Sequence, residues 1–141
     1  MIVPFIKFDS LCEAVAHKKH NLASDTLKVM LTNAAPDPAG DAVKSDLTEI
    51  AAGNGYTAGG ATITVSSSGQ TAGVYKLVLA DVVITASGGS IGPFRYAAVY
   101  NDTAANDELL GYLDYGTSVS IADGETATFD FSAADGVFTL A

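Results

Sequence analysis

The chain has 141 residues, a formal charge of −9 and a single cysteine, Cys12. This length fits one domain that can bury a core without cross-links, and one cysteine excludes an internal disulfide framework. The acidic charge argues against nucleic acid as a partner, because such a surface repels phosphate backbones. No apolar run reaches the roughly 20 residues that span a bilayer, so no membrane partner is expected.

The low share of charged residues relative to hydrophobic ones indicates that partners cover part of the protein's surface. Only 16% of the residues are charged, whereas 48% are hydrophobic. We therefore expect part of the apolar surface to be buried in an assembly. The opening residues lack the features of an export signal, so we expect synthesis in the cytoplasm.

Residues 1–8 predict an extended arm, since their apolar sequence is interrupted by Pro4. Apolar side chains on such an arm have little reason to be free in water. We expect them to contact a partner by adding to a neighbour's sheet edge or by filling its groove. The predicted partner-contact residues are Ile2, Val3, Phe5 and Ile6.

Residues 9–20 predict a helix, because Phe8, Leu11, Cys12 and Val15 recur at the spacing of one helical face. The helix is expected to end near residue 21. A small buried thiol is the expected state of Cys12.

Residues 26–32 alternate between apolar and polar side chains and predict a half-buried strand. The proline-containing residues 34–45 predict a surface loop. Asp46 and Glu49 have the spacing of a capping box, which predicts one helical turn beginning at Asp46. Residues 51–60 contain four glycines and predict a loop with unusual backbone angles.

Strand signals follow at short intervals from residue 61 to the end of the chain. Residues 73–86 fit either one long bent strand or two strands meeting at Ala80 and Asp81. Asp123 and Gly124 predict a hairpin turn between strands at 118–122 and 125–131. The fold class is therefore mainly β: an antiparallel β-sandwich or barrel of about eight or nine strands with one N-terminal helix, in a single domain over residues 9–141.

Residues 88–116 predict the central hairpin of this fold, with the polar residues 101–107 as its turn. Strict alternation places Phe94, Tyr96, Ala98 and Tyr100 on one face, and the opposite face is also largely apolar. The strand is therefore expected to be covered on both sides.

Two groups of residues raise the question of a metal ion. His17 and His20 lie three apart on the predicted helix, and Asp102, Asp107 and Glu108 cluster in the hairpin loop. No third ligand follows the histidines in sequence, and the acidic spacing matches no EF-hand. A helix end and a solvated loop explain them, so no metal is predicted.

The sequence contains no constellation that identifies a reaction. The glycines at 53, 55, 59 and 60 lack the lysine and the strand-to-helix setting of a phosphate loop, and no nucleophile elbow is present. We predict that the protein is not an enzyme and holds no cofactor. The six tyrosines leave a carbohydrate-binding module open, although strand positions favour their burial.

Five blocks of the chain resemble a widespread group of small structural proteins of tailed bacteriophages. These blocks are FDSLCEAVAHKKHNLASDTLKVMLTNAAP, DLTEIAAGNGYTAGG, GGSIGPFRYAAVYND, LLGYLDYG and ADGETATFDF, and they cover most of the chain in the same order. The resemblance implies a virion structural protein and carries over no catalytic residue.

Within that group, the small size and the loop-rich β fold favour a capsid decoration, or cement, protein that binds the outer surface of the head. The expected partners are the major capsid protein or other virion proteins, and further copies of the chain in a symmetric oligomer such as a trimer. Two alternatives stay open: a tail component at the tip, tube or fibre, and a receptor-binding or glycan-binding module.

Overall fold

A computed structural model describes residues 4–141 as ten strands, one α-helix and one 3₁₀ turn. Strands make up 48% of the chain and helical residues 7%, which confirms the mainly β prediction. The helix α1 spans Ser10–Ala16, and the 3₁₀ turn spans Lys44–Asp46. The strands are β1 Phe5–Lys7, β2 Leu27–Thr32, β3 Ala61–Ile63, β4 Val65–Thr71, β5 Val74–Leu79, β6 Val82–Thr85, β7 Ile91–Asn101, β8 Leu109–Ile121, β9 Thr126–Phe129 and β10 Phe138–Leu140.

A five-stranded antiparallel sheet of order β1-β8-β7-β2-β3 forms one layer. Its centre is the β7–β8 hairpin, as the sequence predicts. The strand β8 is 13 residues long, because it includes most of the segment 118–122 that the sequence assigns to a separate strand. The hairpin therefore supplies the two longest strands, and β2 and β1 are added on either side.

The second layer consists of a three-stranded sheet, β10-β5-β4, and a two-stranded sheet, β6-β9. The chain passes from one to the other at Ala80 and Asp81, so residues 73–86 form two strands. The Asp81 carboxylate accepts a hydrogen bond from the Phe131 backbone N–H at 3.1 Å and fixes this break. The main core lies between the layers, and the fold is sandwich-like.

Irregular pairing within the hairpin changes which side chains share a face. The register shifts between Phe94 and Tyr96, and again between Val99 and Tyr100. Phe94 therefore packs in the main core with Val99, whereas Tyr96 and Tyr100 lie on the opposite face. The predicted alternation is wrong at Phe94, because a bulge reverses the face of the residues beyond it.

The outer face of the five-stranded sheet carries a second apolar cluster, which confirms that the central strands are covered on both sides. Leu47, from the long segment between β2 and β3, packs against this cluster, and Phe8 lies within it completely buried. The other members are Met30, Tyr96, Ala98, Tyr100, Leu109 and Tyr112.

The helix α1 is shorter than predicted, because it ends at Ala16 and not near residue 21. Lys18 has a φ of 61°, in the left-handed region. The Lys18 N–H donates to the Val15 carbonyl at 3.2 Å and the Lys19 N–H to the Ala14 carbonyl at 2.8 Å, which closes the helix in a Schellman motif. The prediction for Cys12 is also wrong, since its side chain is exposed.

Two local predictions fail for reasons of tertiary structure. Residues 122–125 form the expected turn, but its flanking strands β8 and β9 belong to different sheets and do not pair. Asp46 does not begin a helical turn. Its carboxylate instead accepts hydrogen bonds from the N–H groups of Ala42 and Val43, and these bonds lower the pKa of Asp46.

We expect Phe8→Ala to lower the free energy of unfolding by about 3 kcal/mol or more, since it removes a fully buried ring. Ile6→Ala is the matched control, because Ile6 is 36% exposed on the adjacent strand and its loss is expected to cost less than about 1 kcal/mol. Equilibrium urea unfolding measures both. Equal effects of the two changes would contradict the placement of Phe8 in the core.

Candidate interaction surface

The N-terminal strand is bound to the body of its own chain. Phe5 pairs with Leu113 and Ile6 with Tyr112 along the edge of β8. The Phe5 ring packs edge-on against Phe131 with 6.3 Å between centroids, and the Ile6 side chain stays on the surface. The other two predicted contact residues, Ile2 and Val3, lie outside the described residues.

Gly111 of β8 is required by this arrangement. A Cβ atom at Gly111 would clash with the Phe5 ring and with the Ile6 carbonyl oxygen. The ring therefore occupies the space that any other residue at this position would fill. Phe5 is thus used within the chain, and Ile6 is the described arm residue that remains available to a partner.

The outward face of the two-stranded sheet forms an uncharged patch that we call the valine–threonine surface. Val82 and Ile84 of β6 point into the core, so the strand presents Val83 outward with 59% of its surface exposed. Val83 pairs with Thr128, and Thr85 pairs with Thr126. Val119 of β8 borders the same depression as Thr126 and Thr128. The valine–threonine surface comprises Val83, Thr85, Val119, Thr126 and Thr128.

The second uncharged surface is the free edge of β4. This strand pairs with β5 on one side only, and five of its seven residues are exposed while the other two are partly buried. No charged residue occurs in the sequence from 50 to 75. The backbone N–H and C=O groups on the outer side of β4 are therefore open. Lys76, the β5 partner of Gly69, borders the same depression, and its ammonium donates to the Ala134 carbonyl at 2.9 Å.

An apolar groove separates α1 from the three-stranded sheet. Val15 and Leu22 line one wall, and Tyr75, Phe138 and Leu140 line the other. Leu140 is 46% exposed. The Tyr75 hydroxyl and the Ser68 hydroxyl lie 2.7 Å apart in a hydrogen bond, which links the groove to β4.

The two histidines do not form a metal pair. His17 is exposed, with Nδ1 3.9 Å from a Glu13 carboxylate oxygen. His20 lies beyond the end of the helix and faces the start of the hairpin loop. Within residues 4–141 no three His, Cys, Asp or Glu side chains are grouped so that they could hold a metal ion.

His20 belongs to a polar cluster around the fully buried Asn101. The Asn101 Oδ1 accepts hydrogen bonds from the N–H groups of Thr103 and Ala104 at 3.0 and 3.1 Å. Its Nδ2 must then face the other way, where it donates to Asp25 Oδ2 at 2.6 Å and to His20 Nδ1 at 2.9 Å. The His20 Nδ1 is therefore an acceptor, and the neutral ring carries its proton on Nε2.

This cluster joins the segment before β2 to the hairpin loop. Burial is the main cause that lowers the pKa of His20, although the carboxylates of Glu108 and Asp25 act in the opposite direction. Protonation of His20 at Nδ1 would also turn this nitrogen into a hydrogen-bond donor. It would then face the Asn101 Nδ2 group, which is itself a donor. The cluster is therefore built for a neutral histidine.

The acidic loop residues have separate roles. Asp102 lies 3.6 Å from the Lys28 ammonium, Asp107 adopts a φ of 52°, and Glu108 is buried. The Asp107 carbonyl accepts a hydrogen bond from the Lys44 N–H at 2.9 Å. These contacts hold the loop to neighbouring segments.

The glycine-rich segment 51–60 packs against strands. A Cβ at Gly60 would clash with the Val29 carbonyl group, so glycine is needed for close backbone approach. Tyr56 fixes the segment, since its hydroxyl accepts from the Leu31 N–H at 3.0 Å and donates to Glu49 Oε1 at 2.7 Å. Burial raises the pKa of Tyr56 well above its usual range.

Most of the tyrosines are likewise built into the fold. Four are buried: Tyr56, Tyr96, Tyr100 and Tyr112. Tyr75 and Tyr115 are partly exposed, and burial raises the pKa of Tyr115 to about 12. No exposed aromatic platform of the kind that binds sugars is found among residues 4–141.

Comparison with family models, with curated proteins and with solved structures finds no match to the chain in any of the three. No helix within residues 4–141 has the length and apolar character needed to cross a membrane.

The pKa of His20 gives a pH dependence of stability. Because the folded-state pKa lies below the unfolded value of about 6.5, the unfolded chain binds more protons as the pH falls. We expect the free energy of unfolding to be highest above about pH 7 and to decrease between about pH 6.5 and 5, by less than about 1.4 kcal/mol per pH unit.

Urea unfolding at a series of pH values measures this slope. His20→Gln is expected to remove it, and His17→Gln, which changes the exposed histidine, is expected to keep it. Aspartate and glutamate side chains titrate mainly at lower pH, so they do not produce this pH dependence of the free energy of unfolding between about pH 6.5 and 5. A His20→Gln variant that retains the full slope would contradict the assignment.

Proposed function

We propose that this protein is a structural component of a tailed-phage virion, and specifically a capsid decoration protein that binds the outer surface of the head. The five sequence blocks that resemble small phage structural proteins support this proposal. The compact two-layer fold supports it as well, because decoration requires a rigid body that presents binding surfaces.

The observation that carries the proposal is the valine–threonine surface. Val83 is 59% exposed at the centre of an otherwise regular strand whose neighbours Val82 and Ile84 are buried. Its outward neighbours within the β6–β9 sheet are threonines, so the patch combines methyl groups with hydroxyl groups, and the exposed Asp81 borders it at the start of β6. An exposed patch of uncharged β-branched side chains on a sheet is well suited to contact with another protein.

The distribution of charge supports a protein partner in the same way. Residues 46–141 carry eleven acidic residues against Lys76 and Arg95, which gives the whole −9. Arg95 is held by Asp114 in an ion pair of 2.9 Å and is not free to offset the other acids. The net negative charge of this region would direct the chain towards a basic or mixed partner surface, and the valine–threonine surface would then make the close contact.

The test is addition of purified protein to phage heads that lack their decoration. We expect saturable binding with a fixed number of copies per head, in the hundreds, measured by quantitative gel analysis of sedimented particles. Val83→Glu is expected to weaken this binding at least about tenfold, because it places a charge in the uncharged contact.

Thr139→Glu is the matched control, since Thr139 is an exposed strand residue outside the valine–threonine surface. Absence of binding by the unchanged protein would overturn the proposal for the head. A ring-sized number of copies located on the tail would instead favour the tail component, and binding to host cells or to a glycan array would favour the receptor-binding module.

A further inference from the structure

We propose that β4 pairs with β4 of a second copy of the chain across a two-fold axis at Gly69, and so joins two three-stranded sheets into one antiparallel sheet of six strands. This inference does not require the virion role, because it rests on the edge strand alone. It predicts a dimer, in place of the trimer that the sequence favours.

The free edge of β4 is unprotected in a way that the other edges are not. Exposed sheet edges are normally kept short, or interrupted by charge, proline or a bulge. The other edge strands among residues 4–141 have three or four residues: β1, β3, β6, β9 and β10. β4 has seven residues, no charge and no proline, and its one bulge lies at the Val65 end. Residues 67–71 form a regular open edge.

Gly69 stands at the middle of this regular edge, and its own chain does not explain it. All fourteen glycines lie in the described part of the chain, and eleven of them have a positive φ. Of the other three, Gly40 contacts the Asp37 side chain and Gly111 contacts Phe5, whereas a Cβ atom at Gly69 would have no other atom within 4 Å. A glycine inside a strand weakens it and often marks a site where another backbone approaches closely.

The turn at the end of β4 identifies which backbone groups are open. Ala72 and Gly73 both have positive φ and form the two-residue turn of the β4–β5 hairpin. Such a turn joins two residues that exchange backbone hydrogen bonds, here Thr71 and Val74. Along an antiparallel ladder, hydrogen-bonded pairs alternate with pairs whose backbone N–H and C=O groups point away from each other. Ser68 and Gln70 therefore direct their N–H and C=O groups away from β5.

A two-fold axis at Gly69 places the open N–H and C=O groups of Ser68 and Gln70 in hydrogen bonds between the two copies. Ser68 of one copy then faces Gln70 of the other, and each of the two such pairs exchanges two backbone hydrogen bonds. The two Gly69 residues meet as a non-hydrogen-bonded pair, the closer of the two arrangements, with Cα atoms about 4.5 Å apart. Absence of a side chain at Gly69 is therefore favourable at the point of closest approach.

Charge selects a second copy as the occupant. The chain carries −9 and repels itself wherever its acidic surface is presented, whereas residues 50–75 have no charge. A basic partner strand would find no carboxylate along this edge. Facing pairs in the dimer are Ser67 with Thr71 and Ser68 with Gln70, which can form hydrogen bonds between side chains and include no like charges.

Sedimentation equilibrium over a concentration series tests the proposal. We expect wild-type protein to form a dimer of twice the 14.4 kDa chain mass. Gly69→Lys is expected to raise the dimer dissociation constant at least about tenfold, because two like charges face each other at the axis. Thr139→Lys, on the opposite edge strand of the same sheet, is the matched control and is expected to leave it unchanged. Both variants reduce the net negative charge equally.

A cross-link tests the register. Gly69→Cys in a Cys12→Ser background is expected to form an intermolecular disulfide under mild oxidation, because the expected Cα separation lies in the disulfide range of roughly 4.4–6.8 Å. Thr139→Cys in the same background is expected not to do so. A wild-type monomer or trimer, or a dimer that is unaffected by Gly69→Lys and is not cross-linked at Gly69, would overturn the proposal. Binding to phage heads, and its weakening by Val83→Glu, is measured in a separate experiment. The dimer proposal and the proposed function can therefore fail independently.

Discussion

Burial of the β7–β8 hairpin on both faces is the constraint on which the rest of the structure depends. One face is covered by the second layer of strands, and the other by Phe8 and the long segment between β2 and β3. Glu49 and Tyr56 hold this segment in place through hydrogen bonds to each other and to the backbone. Because this segment covers the hairpin, it must be held in place. The polar contacts do so, although the segment has little regular secondary structure.

The sequence was sufficient for the class of fold and for the central hairpin, because alternation, turn residues and strand spacing are local signals. Predictions from the sequence were wrong where contacts between distant parts of the chain determine the local structure. The bulge near Phe94 reverses a face, the strands flanking residues 122–125 join different sheets, and a left-handed Lys18 ends the helix early. Each of these depends on which surfaces meet in space, and the pattern of residue types does not contain that information.

The candidate surfaces were less predictable than the fold. The sequence pointed to Phe5 and Ile6, but Phe5 fills the space above Gly111 in its own sheet. Val83 and Val82 are identical in sequence terms, and only the orientation of β6 makes one exposed and the other buried. Gly69 likewise resembles a loop glycine until its extended backbone and open surroundings are known. The absence of charge over residues 50–75 was the signal in the sequence that could have directed attention to the β4 edge.

The position of β1 also has a consequence for how the protein is made. Phe5 is synthesised more than a hundred residues before its partner Leu113. At typical translation rates this delay is roughly 5–20 s. During that time the aromatic ring has no groove to enter, and the open edge of β8 does not yet exist. The strand β1 is therefore synthesised well before it can reach its final place, and this side of the sheet closes only after β8 has been made.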